Sequence, residues 1–127
     1  MDILTELLEK QTQAYDLAYE FDFTDDINWE SVSNKTKINI YRMVQESLQN
    51  IYKHAKANHV KISIVLKKAV ICLSISDDGI GFDPNKSKKG IGLKNINSRV
   101  VELNGTVAFY SELDKGTTIE VKIPYTT

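Results

Sequence analysis

The spacing of apolar residues along the chain predicts two main helices and a shorter one. The long helix starts at about Ser33 or Thr36 and runs to Ala57, and its core-facing positions recur at intervals of four, four, three and four residues: Ile40, Val44, Leu48, Ile51 and Ala55. A second helix is predicted over Ile91 to Leu103, with Ile91, Ile96, Val100 and Leu103 on its core-facing side. Asn104-Gly105 supplies the stop expected at its carboxyl end. Apolar residues at helical spacing also predict a short helix from Asp2 to about Gln11.

Three segments alternate apolar and polar residues with the period of two that is typical of strands. The first is Tyr15 to Phe23. The segments His59 to Leu66 and Val70 to Ser76 are joined by a short turn and are therefore predicted to form an antiparallel hairpin. A final hairpin pairs Thr106 to Ser111 with Thr117 to Ile123.

The order of these elements is strand, long helix, two strands, helix and two strands. It predicts an α+β domain, a two-layer α/β sandwich in which the helices pack on one face of a mixed, mostly antiparallel sheet. A doubly wound parallel sheet is not expected, because the turns between consecutive strands are too short for a crossover. Residues 1–14 are interpreted as the helical remnant of a linker, and residues 15–127 as one domain.

Composition narrows the function classes without choosing among them. The 127 residues are 42% apolar and 26% charged, which predicts a packed globular core. The net charge of −1 offers no bulk attraction to nucleic acid or anionic lipid, so any anion site must be local. The single cysteine, Cys72, excludes an intramolecular disulfide and a multi-cysteine zinc site. No apolar run approaches the ~18 residues of a membrane span, so the chain as it stands is expected to be a soluble piece.

Two glycine-rich segments carry the strongest chemical signals. Asp77-Asp78-Gly79-Ile80-Gly81 follows a predicted strand, where glycines allow close backbone approach to a ligand and Asp77 is placed to accept hydrogen bonds from an exocyclic amine. An ordinary Asp-Gly turn in water is the alternative. Gly90-Ile91-Gly92-Leu93 opens the second helix after the basic loop Lys86-Ser87-Lys88-Lys89, and a helix amino terminus of this kind favours an anion.

A polar stripe of the long helix provides the remaining candidates. Glu46, Asn50 and His54 lie at i, i+4 and i+8, with Lys53 one residue away. The amide oxygen of Asn50 is a ligand type that Mg²⁺ accepts together with phosphate oxygens. Glu46 is suited to orient a water molecule or accept a proton, and Lys53 or His54 to contact phosphate. Taken alone, the stripe also fits a solvated helix face, and Arg99 is expected to form a surface ion pair rather than a phosphate contact.

These motifs together resemble a known superfamily. Gln45-Glu46-Ser47-Leu48-Gln49-Asn50, followed by Lys53-His54-Ala55, resembles the N box shared by sensor histidine kinases, gyrase-type ATPases and related chaperones. The three glycine boxes of that superfamily are matched in order by Asp77-Asp78-Gly79-Ile80-Gly81, Gly90-Ile91-Gly92-Leu93 and Gly116-Thr117-Thr118. The resemblance covers about Tyr15 to Tyr125.

The resemblance implies a Bergerat-type sandwich that binds Mg-ATP. By position, it implies that Asp77 binds the adenine amine, that Asn50 coordinates Mg²⁺, and that Glu46 is the polar helper or base. It also implies that Lys53 and His54 lie near the phosphates. The residues implied to shape the nucleotide site are Gly79, Gly81, Gly90, Gly92, Leu93 and Thr117.

Within the superfamily, the N box and the short loop from Phe82 to Lys89 are similar to sensor histidine kinases of the DesK-like and NarX-like group. The resemblance implies phosphorylation of a histidine on a dimerisation domain upstream of this chain, and transfer to a response regulator. Neither His54 nor His59 lies in a histidine-acidic motif ahead of the domain, so neither is expected to be the acceptor. The chain is expected to be a monomeric piece of a homodimeric, membrane-bound sensor, on its cytoplasmic side, with little turnover alone. An anti-sigma factor serine kinase of the same superfamily and a nucleotide-free interaction module are the alternatives.

Overall fold

The computed structural model describes residues 6, 9–10, 13, 18–24, 26–80, 91–112 and 114–125, without the side chains of residues 54, 55 and 91–94. Within these ranges the chain forms five strands and two longer helices. The strands are β1 (Ala18–Phe23), β2 (His59–Lys67), β3 (Val70–Asp77), β4 (Thr106–Glu112) and β5 (Gly116–Pro124). The helices are α1 (Asn34–Asn50) and α2 (Ile91–Glu102). The predicted helices and both predicted hairpins are confirmed to within a few residues, whereas the short helix over Asp2 to Gln11 and the start of the first strand lie mostly outside the described residues.

The strands form one mixed sheet in the order β1-β2-β3-β5-β4. β1 pairs with β2 in parallel, from Ala18 opposite His59 to Phe23 opposite Ile64, and all other pairs are antiparallel. The expectation that every connection between consecutive strands is too short for a crossover was wrong at two places. The chain between β1 and β2 contains α1, and the chain between β3 and β4 contains α2. A helix in the connection allows the second strand to run in the same direction as the first, as β1 and β2 do, and as β3 and β4 do on either side of β5. The prediction of a mixed, mostly antiparallel sheet is confirmed.

The core lies between the two helices and one face of the sheet. Alternate residues of the central strands β2, β3 and β5 are buried there, and so are the predicted core positions of the helices that the structure describes: Ile40, Val44, Leu48, Ile51, Ile96, Val100 and Leu103. The side chains of Ala55 and Ile91 lie outside the described residues. The opposite face of the sheet is polar and carries cross-strand pairs such as Glu20 with Lys61 and Ser63 with Ser74. The helices therefore form a single layer on one face of the sheet.

Two short segments differ from the predicted elements. A 3₁₀ helix over Trp29–Ser31 precedes α1, and its Trp29 side chain is buried in the core. The long helix was predicted to continue to Ala57 without interruption, but its α-helical part ends at Asn50 and a π turn follows over Ile51–Ala55. Lys56 then adopts a left-handed conformation with φ 51° and ψ 39°. Apolar spacing misses a π turn, because one extra residue in a single turn barely alters the pattern.

Candidate functional site

Asp77 is the last residue of β3, a central strand of the sheet. It lies opposite Val60 of β2 and Thr117 of β5, so a strand flanks it on each side. The carboxylate oxygen Oδ1 accepts the backbone N–H of Gly79 at 2.8 Å. Burial raises the pKa of the Asp77 carboxyl above its ordinary value of 3.8; hydrogen bonds from the backbones of Gly79 and Thr117 oppose the shift, and the neighbouring charge of Asp78 adds to it. A half-buried carboxylate that is only partly compensated favours a ligand that can donate hydrogen bonds.

Gly116, the first residue of β5, allows that strand to approach the end of β3 closely. Its φ is +90°, and a Cβ atom at this position would lie only 2.0 Å from the carbonyl oxygen of Asp77. The backbone N–H of Asp114 donates to the carbonyl of Ile80 at 2.6 Å, which ties the turn before β5 to the segment after β3. Next to this contact, Thr117 Oγ1 lies 2.9 Å from Ser111 Oγ. The third glycine box therefore forms one wall around Asp77, because a residue with a Cβ atom at position 116 would overlap the Asp77 backbone.

Asp78 has a different environment from Asp77. Its Oδ1 accepts the backbone N–H groups of Asn58 and His59 at 2.8 and 2.9 Å, and its Oδ2 lies 2.8 Å from His59 Nδ1. These contacts, led by the backbone hydrogen bond from His59, lower the pKa of Asp78 from 3.8 to about 2. Asp78 thus ties Asn58 and His59, which follow the π turn of the long helix, to the first glycine box. Sequence reasoning did not detect this role, and it considered His59 only as a phosphoacceptor.

One residue of the predicted polar stripe of α1, Glu46, contacts α2. Glu46 Oε1 accepts hydrogen bonds from Arg99 of α2, with Nη2 at 3.0 Å and Nε at 3.3 Å. Arg99 Nη1 also donates to Asn39 Oδ1 at 3.2 Å. Arg99 was predicted to form an ion pair, and it does so, but the pair is mostly buried, with side-chain exposures of 30% for Arg99 and 17% for Glu46.

The other predicted site residues fall into two groups. Asn50 is the half-buried last residue of α1, and Lys53 is exposed on the π turn that follows it. Gly79 is buried beside Asp77. The remaining predictions lie outside the described residues, either entirely (Gly81 and Gly90) or by their side chains (His54 and Leu93, with Gly92 placed only as part of the α2 backbone). The structure therefore joins Asp77, Gly79 and Thr117 into one cluster, and places Glu46 and Asn50 one turn apart on α1.

Comparison with protein families gives a match over residues 35–127 to the histidine kinase-, DNA gyrase B- and HSP90-like ATPases. The chain belongs to this ATPase family. Among curated relatives, it is 42% identical to the signal transduction histidine-protein kinase/phosphatase DegS of Brevibacillus brevis, over 72% of this chain and 24% of DegS. It is 33% identical to the sensor histidine kinase LiaS of Bacillus subtilis, over 95% of this chain and 33% of LiaS. The ATPase-family chain thus spans about a quarter to a third of the length of these two relatives.

Solved structures of histidine kinases share the fold of this ATPase-family domain. The histidine kinase domain of a blue-light activated histidine kinase from Erythrobacter litoralis matches with a TM-score of 0.75 and 17% identity, over 97% of this chain and 58% of that one. The mycobacterial sensor histidine kinase MprB matches with a TM-score of 0.70 and 19% identity, over 95% of this chain and 93% of that one. These matches confirm the two-layer sandwich. In the part of the chain that the structure describes, none of the helices has the length and apolarity needed to cross a membrane.

Proposed function

We propose that this chain is the ATP-binding catalytic domain of a two-component sensor histidine kinase. It binds Mg-ATP and delivers the γ-phosphoryl group to a histidine on a dimerisation domain outside the chain, from which a response regulator receives it. The observation that carries the proposal is the half-buried carboxylate of Asp77, held at the end of a central strand by the close approach of Gly116. The names of DegS and LiaS support a sensor kinase rather than an anti-sigma factor.

Asp77 is the residue that recognises the base. An ionised carboxylate offers about four acceptor positions, and the backbone N–H groups of Gly79 and Thr117 use only part of this capacity. The exocyclic amine of adenine is a hydrogen-bond donor, whereas guanine carries a carbonyl oxygen at the corresponding position. At this position a carboxylate therefore accepts a hydrogen bond from the amine of adenine and is repelled by the carbonyl oxygen of guanine. The same contact compensates the desolvation that raises the pKa of Asp77 in the unliganded domain.

The phosphate end of the site lies along the carboxyl end of α1. The carboxamide oxygen of Asn50 suits Mg²⁺, a hard cation that prefers oxygen ligands and takes most of its shell from water and phosphate. Among the described residues, no three His, Cys, Asp or Glu side chains are grouped to hold a metal ion, so Mg²⁺ would depend on Asn50 and the nucleotide. When bound, Mg²⁺ neutralises charge on the phosphates. Lys53 and the amino terminus of α2 supply further positive potential to the same oxygens.

Calorimetric titration with ATP, in the presence and absence of Mg²⁺, tests this assignment. Asp77→Asn is expected to weaken the affinity for all adenine nucleotides tenfold or more, whether or not the metal is present. This is about the contribution of one charge-assisted hydrogen bond. Asn50→Ala is expected to remove mainly the increment in affinity that Mg²⁺ adds. GTP serves as the control ligand and should bind weakly to all three proteins. Equal affinity of the wild type and both variants for Mg-ATP would contradict the proposed site.

A further inference from the structure

The ion pair between Glu46 and Arg99 is the most enclosed charged contact among the described residues outside the adenine end of the site. Arg99 directs two of its N–H groups to a single oxygen, Oε1 of Glu46, and a third to Oδ1 of Asn39. Asn39 is buried, with 5% of its surface exposed. One arginine on α2 therefore connects two positions on α1.

The spacing of these two positions makes the contact sensitive to helix movement. Asn39 and Glu46 lie two turns apart on α1, about 10 Å along its axis. Sliding or rotating one helix against the other would lengthen at least one of the hydrogen bonds from Arg99, since the planar guanidinium cannot follow both acceptors. The three side chains thus fix the position of α1 relative to α2 more tightly than apolar packing alone.

The two carboxylate oxygens of Glu46 have different environments. Oε2 is buried and, within the described part of the chain, has no hydrogen-bond partner, while Oε1 is already occupied by Arg99. A general base must reach the proton that it abstracts, directly or through one water molecule. Glu46 would have to leave Arg99 before it could do so, and the separation would leave two uncompensated charges between the helices.

We infer that Glu46 and Arg99 act as one positioning unit that sets α1 against α2 for nucleotide binding, and that Glu46 is not a general base. The inference rests on the proposed function, because it concerns how the nucleotide site is held. Asn50 ends α1 and the second glycine box runs into the start of α2, so both helices must present their groups to the same phosphates. The ion pair keeps Asn50 and the start of α2 in a fixed position relative to each other.

A double-mutant cycle in this chain tests the inference through the Kd for Mg-ADP, measured by calorimetry well below the unfolding temperature of every variant. Glu46→Met and Arg99→Met each remove the pair at similar volume and are expected to raise the Kd about tenfold. The double variant is expected to bind no more weakly than either single variant, because the shared contact is lost only once. Arg99→Lys keeps the charge but loses the planar fork that reaches both Glu46 and Asn39, so it is also expected to raise the Kd by at least threefold.

Val100→Ala is the matched control, because it removes buried apolar volume from the same helix next to Arg99. It should lower the unfolding temperature and leave the Kd within about twofold of the wild type. A general base at position 46 predicts instead that Glu46→Met leaves the Kd for Mg-ADP unchanged, which would overturn the inference. Multiplicative effects in the double variant, or wild-type affinity of Arg99→Lys, would also overturn it. Failure of the wild type to bind Mg-ADP would reject the proposed function itself.

Discussion

Replacing Gly116 by alanine tests the packing that holds Asp77 in place. The added Cβ would lie 2.0 Å from the carbonyl oxygen of Asp77 and 3.2 Å from the Cα of Asp78, at a residue whose φ is +90°. A carbon atom normally keeps more than 3 Å from a backbone oxygen, so β3 and β5 must separate by about 1 Å at this point. Positive φ adds roughly 1–2 kcal/mol for a residue with a Cβ.

The summed loss in the free energy of unfolding is expected to be about 2–4 kcal/mol. This is less than the total stability of a typical domain, so Gly116→Ala should fold, with an unfolding temperature lower by roughly 8–16 °C. Because the overlap is with the backbone of Asp77 itself, the carboxylate should move away from the position proposed for adenine recognition. The Kd for Mg-ADP is therefore expected to rise about tenfold or more.

Gly105→Ala provides the matched control for this effect. Its Cβ would lie 2.4 Å from the carbonyl oxygen of Lys122, which is also on β5 but distant in the strand from Thr117. Thermal unfolding and calorimetry on both variants separate a general loss of stability from a displaced Asp77. Both variants should unfold at lower temperature, and only Gly116→Ala should lose affinity. A wild-type Kd for Gly116→Ala, or an equal loss of affinity for Gly105→Ala, would refute the reasoning.

Two further predictions concern the adjacent carboxylates. Burial raises the pKa of Asp77, so the folded domain favours its protonated form and this group opposes folding increasingly as the pH rises above 3.8. Asp77→Asn should therefore raise the unfolding temperature of the unliganded domain at pH 7 while weakening adenine binding, and a lower unfolding temperature would show that the charge stabilises the fold. Asp78 has its pKa lowered to about 2, so its contribution is present above pH 3.8 and is lost as the pH falls towards 2. Asp78→Asn should destabilise the domain by about 1 kcal/mol at pH 7 in urea unfolding, and a difference from the wild type that does not shrink between pH 5 and pH 2 would contradict this cause.

Local patterns in the sequence predicted most of the fold. The apolar spacing of α1 and α2 located both helices, and period-two alternation with short turns located both hairpins, because these signals depend only on neighbouring residues. The parallel pairing of β1 with β2 was not predicted, since it depends on where α1 returns the chain. The π turn was missed as well, although it lies directly after Asn50 and includes Lys53.

The candidate site was predictable where the chemistry is carried by a contiguous motif. Asp77 and Gly79 belong to one such motif, and the structure places them in direct contact. The contacts of Asp78 with His59 and of Arg99 with Glu46 join residues that are far apart in the chain. Pairs of this kind leave no local pattern, so only the fold could identify them.

The opposite behaviour of Asp77 and Asp78 follows from their place at the end of a strand. Successive side chains of a strand point to opposite sides, so two adjacent carboxylates cannot share one environment. Asp77 has its pKa raised by burial near the proposed adenine position, whereas Asp78 accepts hydrogen bonds from the backbone N–H groups of Asn58 and His59 and has its pKa lowered. One carboxylate therefore destabilises the unliganded domain and its neighbour stabilises it. In the proposed site, Asp77 thus stays available to accept hydrogen bonds from adenine, while Asp78 fixes the segment that carries it to β2.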